Sequence, residues 1–349
     1  DVSLVTHEFS ERDVGDSEVF EDLKSLCSND RCAHGICDNT HVLQTIGGHD
    51  LKPWFKTGRG HSHIGYTFFE RNVLDRADVD RAKEEYDIIV AGSAWCEQVL
   101  KTHGLPNTRT IRQGVDLELF NPFGEKQDRY RDFFVVFSGG KLELRKGQDL
   151  VLAAFRILQD KYPDMLLVNA WYNPWPASLR TMRGSPYIDF QMPPGDYFKA
   201  VNRLLTANEI DSKRVVTLPP IPHRDLSQIY RNTDIGVFPN RCEGGTNLVL
   251  MEYMACGKPT IASYTSGHRD ILTDTNAMCL KNLHPVTVRN QQERVLYEWD
   301  EATVDEIVAC LEWAYGHRKE IEGIGKVAAK DMSKMTWAET ARGFYELFN

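Results

Sequence analysis

Residues 243–259, EGGTNLVLMEYMACGKP, place two carboxylates around a glycine pair and a short apolar stretch. Gly244 and Gly245 have no side chain, so their backbone can approach a ligand closely. Glu243 precedes the glycines and Glu252 follows the apolar residues. This combination of close backbone and carboxylates predicts a site for a polar ligand.

We expect the residues after the glycines to form a helix capped by Thr246 or Asn247 and ended by Gly257. Leu248 would begin its apolar face. A helix start offers unpaired N–H groups and a partial positive charge, which together suit a phosphate. Glu252 would repel a phosphate, and it fits better as an acceptor for sugar hydroxyls, as acidic residues do for ribose in dinucleotide-binding folds. The structural alternative is a buried glutamate satisfied by its neighbours.

A second loop, SGGKLELRKGQD, follows another apolar run. Gly139 and Gly140 permit close approach, and Lys141, Arg145 and Lys146 place three cations at the same strand end. Cations there would neutralise a diphosphate and stabilise it as a leaving group. The alternative is a solvated basic loop.

Composition restricts the class of protein. The chain has 349 residues, 42% of them hydrophobic, and a formal net charge of −9. An acidic chain is a poor general binder of nucleic acid, where basic patches supply most of the affinity. No apolar run approaches the length that crosses a bilayer. The scattered cysteines indicate a reduced, cytoplasmic protein, with peripheral attachment to a membrane left open.

Cysteines are dense only near the start of the chain, in CSNDRCAHGIC. Cys27, Cys32, Cys37 and His34 are potential zinc ligands, but their spacing of four and four departs from that of zinc knuckles. We favour a loop with buried or free thiols and predict no metal.

Short apolar runs alternate with helical patterns, which predicts an α/β protein with parallel sheets. The alternation pauses in a polar, turn-rich stretch and then restarts. We therefore predict two doubly wound domains, with ligands beyond the carboxyl ends of the strands. The predicted divisions are a first domain at 1–120, a linker at 121–132, a second domain at 133–330 and a terminal helix at 331–349 that packs back on the first domain.

Several motifs together carry a resemblance. GGKLELRKG, then DIGVFPNRCEGGTNLVLMEYMACGKPTIAS, is similar to the second half of the family-four glycosyltransferases of the GT-B fold. YDIIVAGSAWCEQVLKTHG and IRQGVDLELFNP resemble the end of that family's first domain. The resemblance implies two Rossmann-like domains facing each other across a cleft, and transfer of a sugar from a nucleotide-diphosphate donor with retention of configuration. It also implies that no metal or other cofactor is required.

By position, the resemblance assigns Lys141 and Lys146 to the donor diphosphate and Glu252 to the ribose hydroxyls. Backbone contacts to sugar and phosphate would come from Gly245, Thr246, Asn247 and Leu248. Glu243 is the family's first glutamate only if a one-residue bulge accommodates its spacing, because eight residues separate it from Glu252 where the family has seven. We expect that bulge and assign Glu243 to the donor sugar.

The first domain departs from the family pattern, since no glycine-rich loop follows an opening strand. We expect a short or trimmed domain. The family often places a histidine of this domain near the donor, and we favour His49, which follows TIGG; His7, His61 and His63 are the other candidates considered.

The predicted function is therefore transfer of a sugar from a nucleotide-sugar donor to a hydroxyl of a glycan, lipid-linked or small-molecule acceptor. One alternative is a non-catalytic nucleotide-sugar-binding or assembly protein with a degenerate site. A second is a Rossmann-type oxidoreductase, which would require a G-x-G-x-x-G turn that the sequence lacks.

Overall fold

The computed structural model describes residues 37–54, 60–124, 126–127, 130–191, 197–289 and 295–348, with Glu21 and Lys24. It divides into two compact units: Asp1–Ile111 with Phe344–Asn349, and Arg112–Gly343. The predicted linker at 121–132 lies inside the second unit. His7, His34, Cys27 and Cys32 lie outside the described residues, as does the side chain of Cys37.

The described part of the first unit is built on a parallel sheet. Its strands lie in the order β1-β2-β3-β4. Helices α1 and α2 connect the later strands, and Ile89 and Val99 belong to a buried apolar cluster between them and the sheet. The elements are β1 Cys37–Thr45, β2 Gly60–Thr67, α1 Arg76–Glu85, β3 Ile88–Ala91, α2 Ala94–Thr102 and β4 Thr108–Thr110.

The second unit contains a six-stranded parallel sheet in the order β10-β9-β8-β5-β6-β7. The chain lays down β5, β6 and β7 towards one side and then returns to place β8 beside β5. That reversal is the topological switch point of a Rossmann-type sheet. The strands are β5 Phe134–Gly139, β6 Met165–Ala170, β7 Val215–Thr217, β8 Ile235–Phe238, β9 Thr260–Ser263 and β10 Met278–Leu280.

Helices and a hairpin complete the second unit. Four of these elements, the β11–β12 hairpin and helices α4, α5 and α9, have no counterpart among the elements expected from the sequence. The helices and hairpin strands are α3 Gln148–Gln159, α4 Pro176–Leu179, α5 Tyr197–Ala207, α6 Leu226–Arg231, α7 Leu248–Ala255, β11 Leu283–Arg289, β12 Val295–Ala302, α8 Val304–Gly316, α9 Arg318–Met332 and α10 Trp337–Glu346. Among the described residues, no helix is long and apolar enough to cross a membrane.

Helix α7 is buried more completely than its sequence suggested. The expected apolar face on one side is wrong, because residues 250–255 are all buried, including Glu252 and Tyr253. The aromatic rings of Tyr253 and Phe137 stack at 5.2 Å, which fixes the helix against β5. Burial on all sides makes α7 a rigid support for the loop that precedes it.

Candidate active site

The two predicted loops meet at the switch point, because each follows one of the neighbouring strands β5 and β8. Gly147 has φ 72°, and a Cβ there would lie 2.2 Å from the carbonyl oxygen of Pro239. The N–H of Arg241 donates to the carbonyl of Arg145 at 2.8 Å. A Cβ on Gly139 would lie 2.8 Å from a methyl of Val249 at the start of α7. Both loops and the helix start therefore form one surface.

Glu243 lies at the centre of this surface, with 5% of the residue exposed. Lys146 Nζ is 2.6 Å from Glu243 Oε1, and Arg145 Nη1 is 3.0 Å from Oε2. Asn240 also donates to Oε1. Arg145 pairs in addition with Glu143 at 2.7 Å. The glutamate therefore holds two cations in fixed positions at the strand ends.

The charge of Glu243 is maintained by these neighbours. Burial alone would raise the pKa of its carboxyl, but the positive charges of Lys146 and Arg145 outweigh burial and hold the pKa at about 2. His268 behaves in the opposite way, since burial lowers its pKa to about 4. The site thus contains a carboxylate that stays ionised and an imidazole that stays neutral near pH 7.

The tautomer of His268 explains the conformation of Asn247. His268 Nδ1 lies 3.0 Å from the carbonyl of Ser263 and therefore carries the proton, so Nε2 accepts from the Asn247 amide at 3.1 Å. Asn247 is the N-cap residue of α7 at φ 66°, but its side chain makes no capping bond. Thr246 Oγ1 instead contacts the sulfur of Met251. The prediction that Thr246 or Asn247 caps the helix through its side chain is wrong, because Thr246 contacts Met251 of α7 and Asn247 donates to His268.

The loop from Glu243 to Asn247 is also supported from outside. Ser266 Oγ accepts from the N–H of Glu243 at 2.8 Å, and the N–H of Gly267 donates to the carbonyl of Glu243 at 3.0 Å. A Cβ on Gly267 would lie 1.6 Å from the carbonyl oxygen of Gly245, so only glycine fits there. The left-handed Asn247 and this support give the lengthened loop a defined conformation.

Glu252 lies in α7 and faces two residues from the 223–231 region. His223 Nε2 is 2.8 Å from Glu252 Oε1, and the Tyr230 hydroxyl donates to Oε2 at 3.4 Å. The hydrogen bond to Glu252 raises the pKa of His223, whose side chain is 60% exposed. Glu252 therefore presents a nearly buried carboxylate whose neighbouring imidazole is open to solvent.

A buried network of charged side chains supports the loop that carries Lys146. Arg241 is 1% exposed and binds Asp149 through two nitrogens, at 2.9 and 2.7 Å. Its Nε donates to Glu301 of β12 at 2.5 Å, and Nη1 donates to the carbonyl of Leu144. Arg241 thus ties α3, the hairpin and the loop that carries Lys146 to one guanidinium.

The structure brings together most of the predicted site residues, but not all of them. The residues of the two loops and the start of α7 are Gly139, Gly140, Arg145, Lys146, Glu243, Gly244, Gly245, Thr246, Asn247 and Leu248, while Glu252 lies farther along α7 beside His223 and Tyr230. Lys141 is exposed, and its carbonyl, rather than its ammonium, contacts Gln148. Arg145, rather than Lys141, lies beside Lys146, and both Arg145 and Lys146 contact Glu243. Their roles toward a ligand stay predictions.

His49 lies in the first unit, in the turn after β1, so its assignment to the donor also stays a prediction. Burial and the charge of Arg71 lower its pKa. Of the other histidines considered, His63 is structural: its Nδ1 donates to the carbonyl of Glu85 at 2.8 Å and its Nε2 accepts from Gln44 at 2.6 Å.

Several residues that form this site were not predicted from the sequence. Glu143, Asn240, Ser266 and His268 come from the strand ends around the switch point. Only their positions directly after β5, β8 and β9 could have pointed to them, because ligands bind at those ends. The pairing of Arg241 with Glu301 depends on the unforeseen hairpin.

Comparison with solved structures identifies the class of fold. The sucrose-phosphate synthase from Thermosynechococcus elongatus superimposes with a TM-score of 0.63 at 17% identity, over 82% of this chain and 67% of that one. HepE from Anabaena, solved with UDP-glucose, superimposes with a TM-score of 0.61 at 14% identity, over 82% of this chain and 71% of that one. The predicted GT-B class of α/β fold is confirmed.

Sequence comparison finds relatives of part of the chain. Residues 123–284 match the family model described as glycosyl transferases group 1. D-inositol 3-phosphate glycosyltransferase 1 of Catenulispora acidiphila is 30% identical over 191 residues, 52% of this chain and 42% of that protein. The D-inositol 3-phosphate glycosyltransferase of Mycobacterium bovis is 27% identical over 247 residues, 69% of this chain and 44% of that protein. The match thus spans less than half the length of these curated relatives.

Proposed function

We propose that the protein is a retaining glycosyltransferase that moves a sugar from a nucleotide-diphosphate sugar to a hydroxyl acceptor. The observation that carries the proposal is the cluster of Lys146, Arg145 and Glu243 at the switch point, beside the start of α7. The family model that residues 123–284 match supports the same reaction class. UDP-glucose is the donor to test first, because it is bound in HepE.

Each group has a distinct role in this proposal. Lys146 and Arg145 bind the diphosphate, and the first N–H groups of α7 add partial positive charge. Glu252 accepts hydrogen bonds from the ribose hydroxyls. Glu243 holds both cations in place and orients the transferring sugar. Lys146 has three donor protons, so it can keep Glu243 while binding a phosphate oxygen.

The proposed step breaks the bond between the sugar's anomeric carbon and the diphosphate oxygen and forms a bond to the acceptor oxygen on the same face. The bonding electrons leave with the diphosphate, and the acceptor's proton passes to a phosphate oxygen. Charge grows on the leaving phosphate, where Lys146 and Arg145 stabilise it more in the transition state than in the ground state. No metal or other cofactor is required in this scheme. The acceptor is the most open part of the proposal, and inositol phosphates are the first candidates because the matched relatives are named for them.

The experiment compares Lys146→Met and Glu243→Gln with Lys319→Met, an exposed lysine of the same unit. Thermal shifts with UDP, GDP and ADP first identify the base. Release of free nucleotide from the matching sugar donor is then measured with candidate acceptors. We expect kcat/KM to fall about 10²–10³-fold for Lys146→Met, as for removal of one transition-state donor, and to be unchanged for Lys319→Met.

Two results would contradict the proposal. Stabilisation by none of the three nucleotides would remove the donor site. Nucleotide binding without release of nucleotide from any donor and acceptor would favour the non-catalytic alternative.

A further inference from the structure

A groove lies at the edge of the second sheet opposite the candidate active site. It is bordered by Phe134, Asp234 and Pro259, which stand at or just before the starts of β5, β8 and β9. The candidate active site lies at the other ends of β5 and β8. The groove has a volume of about 490 Å³, within the range of small-molecule sites.

The groove is basic in an acidic protein. Among the residues that the structure describes, seven charged side chains line it, five cations and two carboxylates, while the whole chain has a net charge of −9. The cations are Lys126, Arg231, Lys258, Arg318 and Lys326, and the carboxylates are Asp234 and Glu322. A local excess of positive charge against the overall balance indicates attraction of anions.

Two of the carboxylates near the groove are already paired. Lys126 Nζ lies 2.8 Å from Asp234, whose second oxygen accepts from the N–H of Val135 at 2.7 Å. Arg318 lies 3.5 Å from Asp164, outside the groove. These pairs leave Arg231 and Lys258 to be satisfied by other groups.

Lys258 and Arg231 make long hydrogen bonds to uncharged oxygens. The ammonium of Lys258 contacts the carbonyl of Arg231 at 3.4 Å. The terminal nitrogens of Arg231 donate to Ser227 Oγ, to the carbonyls of Leu119 and Asn121 and to Asn121 Oδ1 at 3.2–3.5 Å. Burial lowers its pKa to about 8, although Asp234 acts against that shift. The Nε–H of Arg231 is buried and finds no hydrogen-bond acceptor within the described residues. A Cβ at Gly124, with φ 140°, would lie 3.0 Å from this Nε, so the Gly124 backbone passes close to the guanidinium.

We propose that this groove is a second binding site, specific for the phosphate group of a soluble small molecule, with Lys258 and Arg231 as its recessed donors. A phosphate or sulfate oxygen would supply the acceptor that the Arg231 Nε–H lacks. It would also supply the negative charge that a poorly solvated ammonium requires. Lys126 and Lys326 at the rim add long-range attraction. A recessed pair of donors favours a soluble ligand over a headgroup held in a membrane.

The test uses sulfate as the probe, because sulfate does not titrate near neutral pH. Binding to the whole chain is measured by calorimetry at about pH 8 and about pH 6, in buffers that differ in ionisation enthalpy. Because a bound anion raises the pKa of Lys258, we expect uptake of roughly half a proton per sulfate at the higher pH and almost none at the lower.

Lys258→Met is compared with Lys330→Met, an exposed lysine of α9 that does not line the groove. We expect Lys258→Met to abolish the proton uptake and weaken this sulfate site at least about tenfold, a loss of about 1.4 kcal/mol. Lys326→Gln changes an exposed lysine at the rim and should weaken sulfate binding several-fold. This variant replaces Lys258→Met in the test if Lys258→Met does not fold. Lys330→Met should behave as the unmodified chain.

Some outcomes would overturn the proposal. Equal sulfate binding in Lys258→Met and Lys330→Met would show that the groove does not hold anions. Glycerol 3-phosphate should displace sulfate. Sedimentation with phosphatidylglycerol vesicles that depends on Lys258 would contradict a soluble ligand.

Discussion

At the scale of single residues, the candidate site contains two buried titratable groups, of which one stays charged and the other stays neutral. Glu243 stays ionised because two cations touch it, whereas His268 stays neutral because burial lowers its pKa. Neither group titrates near neutral pH. Their charges therefore stay constant over the range in which most enzymes work, and pH dependence in that range must come from other groups.

His223 is the residue from which we expect pH dependence. Its pKa is raised because protonated imidazole binds Glu252, so this contact is strongest below the usual histidine pKa of about 6.5 and is lost as pH rises through the raised value. If the ribose hydroxyls compete with protonated His223 for Glu252, the affinity for UDP-glucose should increase as pH rises through that range. His223→Gln should remove the dependence. The measurement is the dissociation constant of UDP-glucose between about pH 5.5 and pH 8.5.

The charged and titratable groups facing His223 are Glu252, Tyr230 and, at longer range, Asp116. The Tyr230 pKa is far above neutral because of burial, so Tyr230 does not titrate in this range. His284→Gln changes a half-exposed histidine on the hairpin and is the matched control. The same pH profile in His223→Gln as in the unmodified chain would exclude this role.

At the scale of elements, the start of α7 combines strain with a buried hydrogen bond. Asn247→Gly relieves the left-handed backbone but leaves His268 Nε2 without its donor, and we expect a loss of about 1–2 kcal/mol. Asn247→Ala loses the bond and keeps the strain, so it should cost about 1–2 kcal/mol more. Urea unfolding of both variants measures the difference. Equal stability would mean that φ 66° carries no strain at this position.

The sequence predicted much of this architecture, and its errors have physical causes. Alternating apolar runs located β5, β6, β8 and the helix after Asn247, because burial imposes that pattern. The capping prediction for Asn247 failed because His268, distant in sequence, competes for its amide. The hairpin was not predicted because its strands are polar and half-exposed and do not form the apolar runs that mark buried strands. The role of Arg241 was not predicted, because its two carboxylate partners are remote in the chain.

At the scale of the whole molecule, the predicted donor site other than His49 lies in one compact unit. We therefore expect residues 112–343 alone to fold and to bind UDP-glucose with a dissociation constant within about threefold of the full chain. Circular dichroism and calorimetry test this. A folded fragment that binds tenfold more weakly would show that the first unit contributes directly to donor affinity, as His49 would.

Arg241 has a consequence for how such proteins can diverge. Its positive charge is balanced by Asp149 from one helix and Glu301 from the hairpin. Removing one member of a buried ionic group leaves uncompensated charge, which typically costs about 3–5 kcal/mol, whereas replacing the whole group by apolar residues can be neutral. The three positions should therefore change together among homologues or not at all. A hairpin exchanged between two relatives should be tolerated only when residues 149 and 241 are exchanged with it.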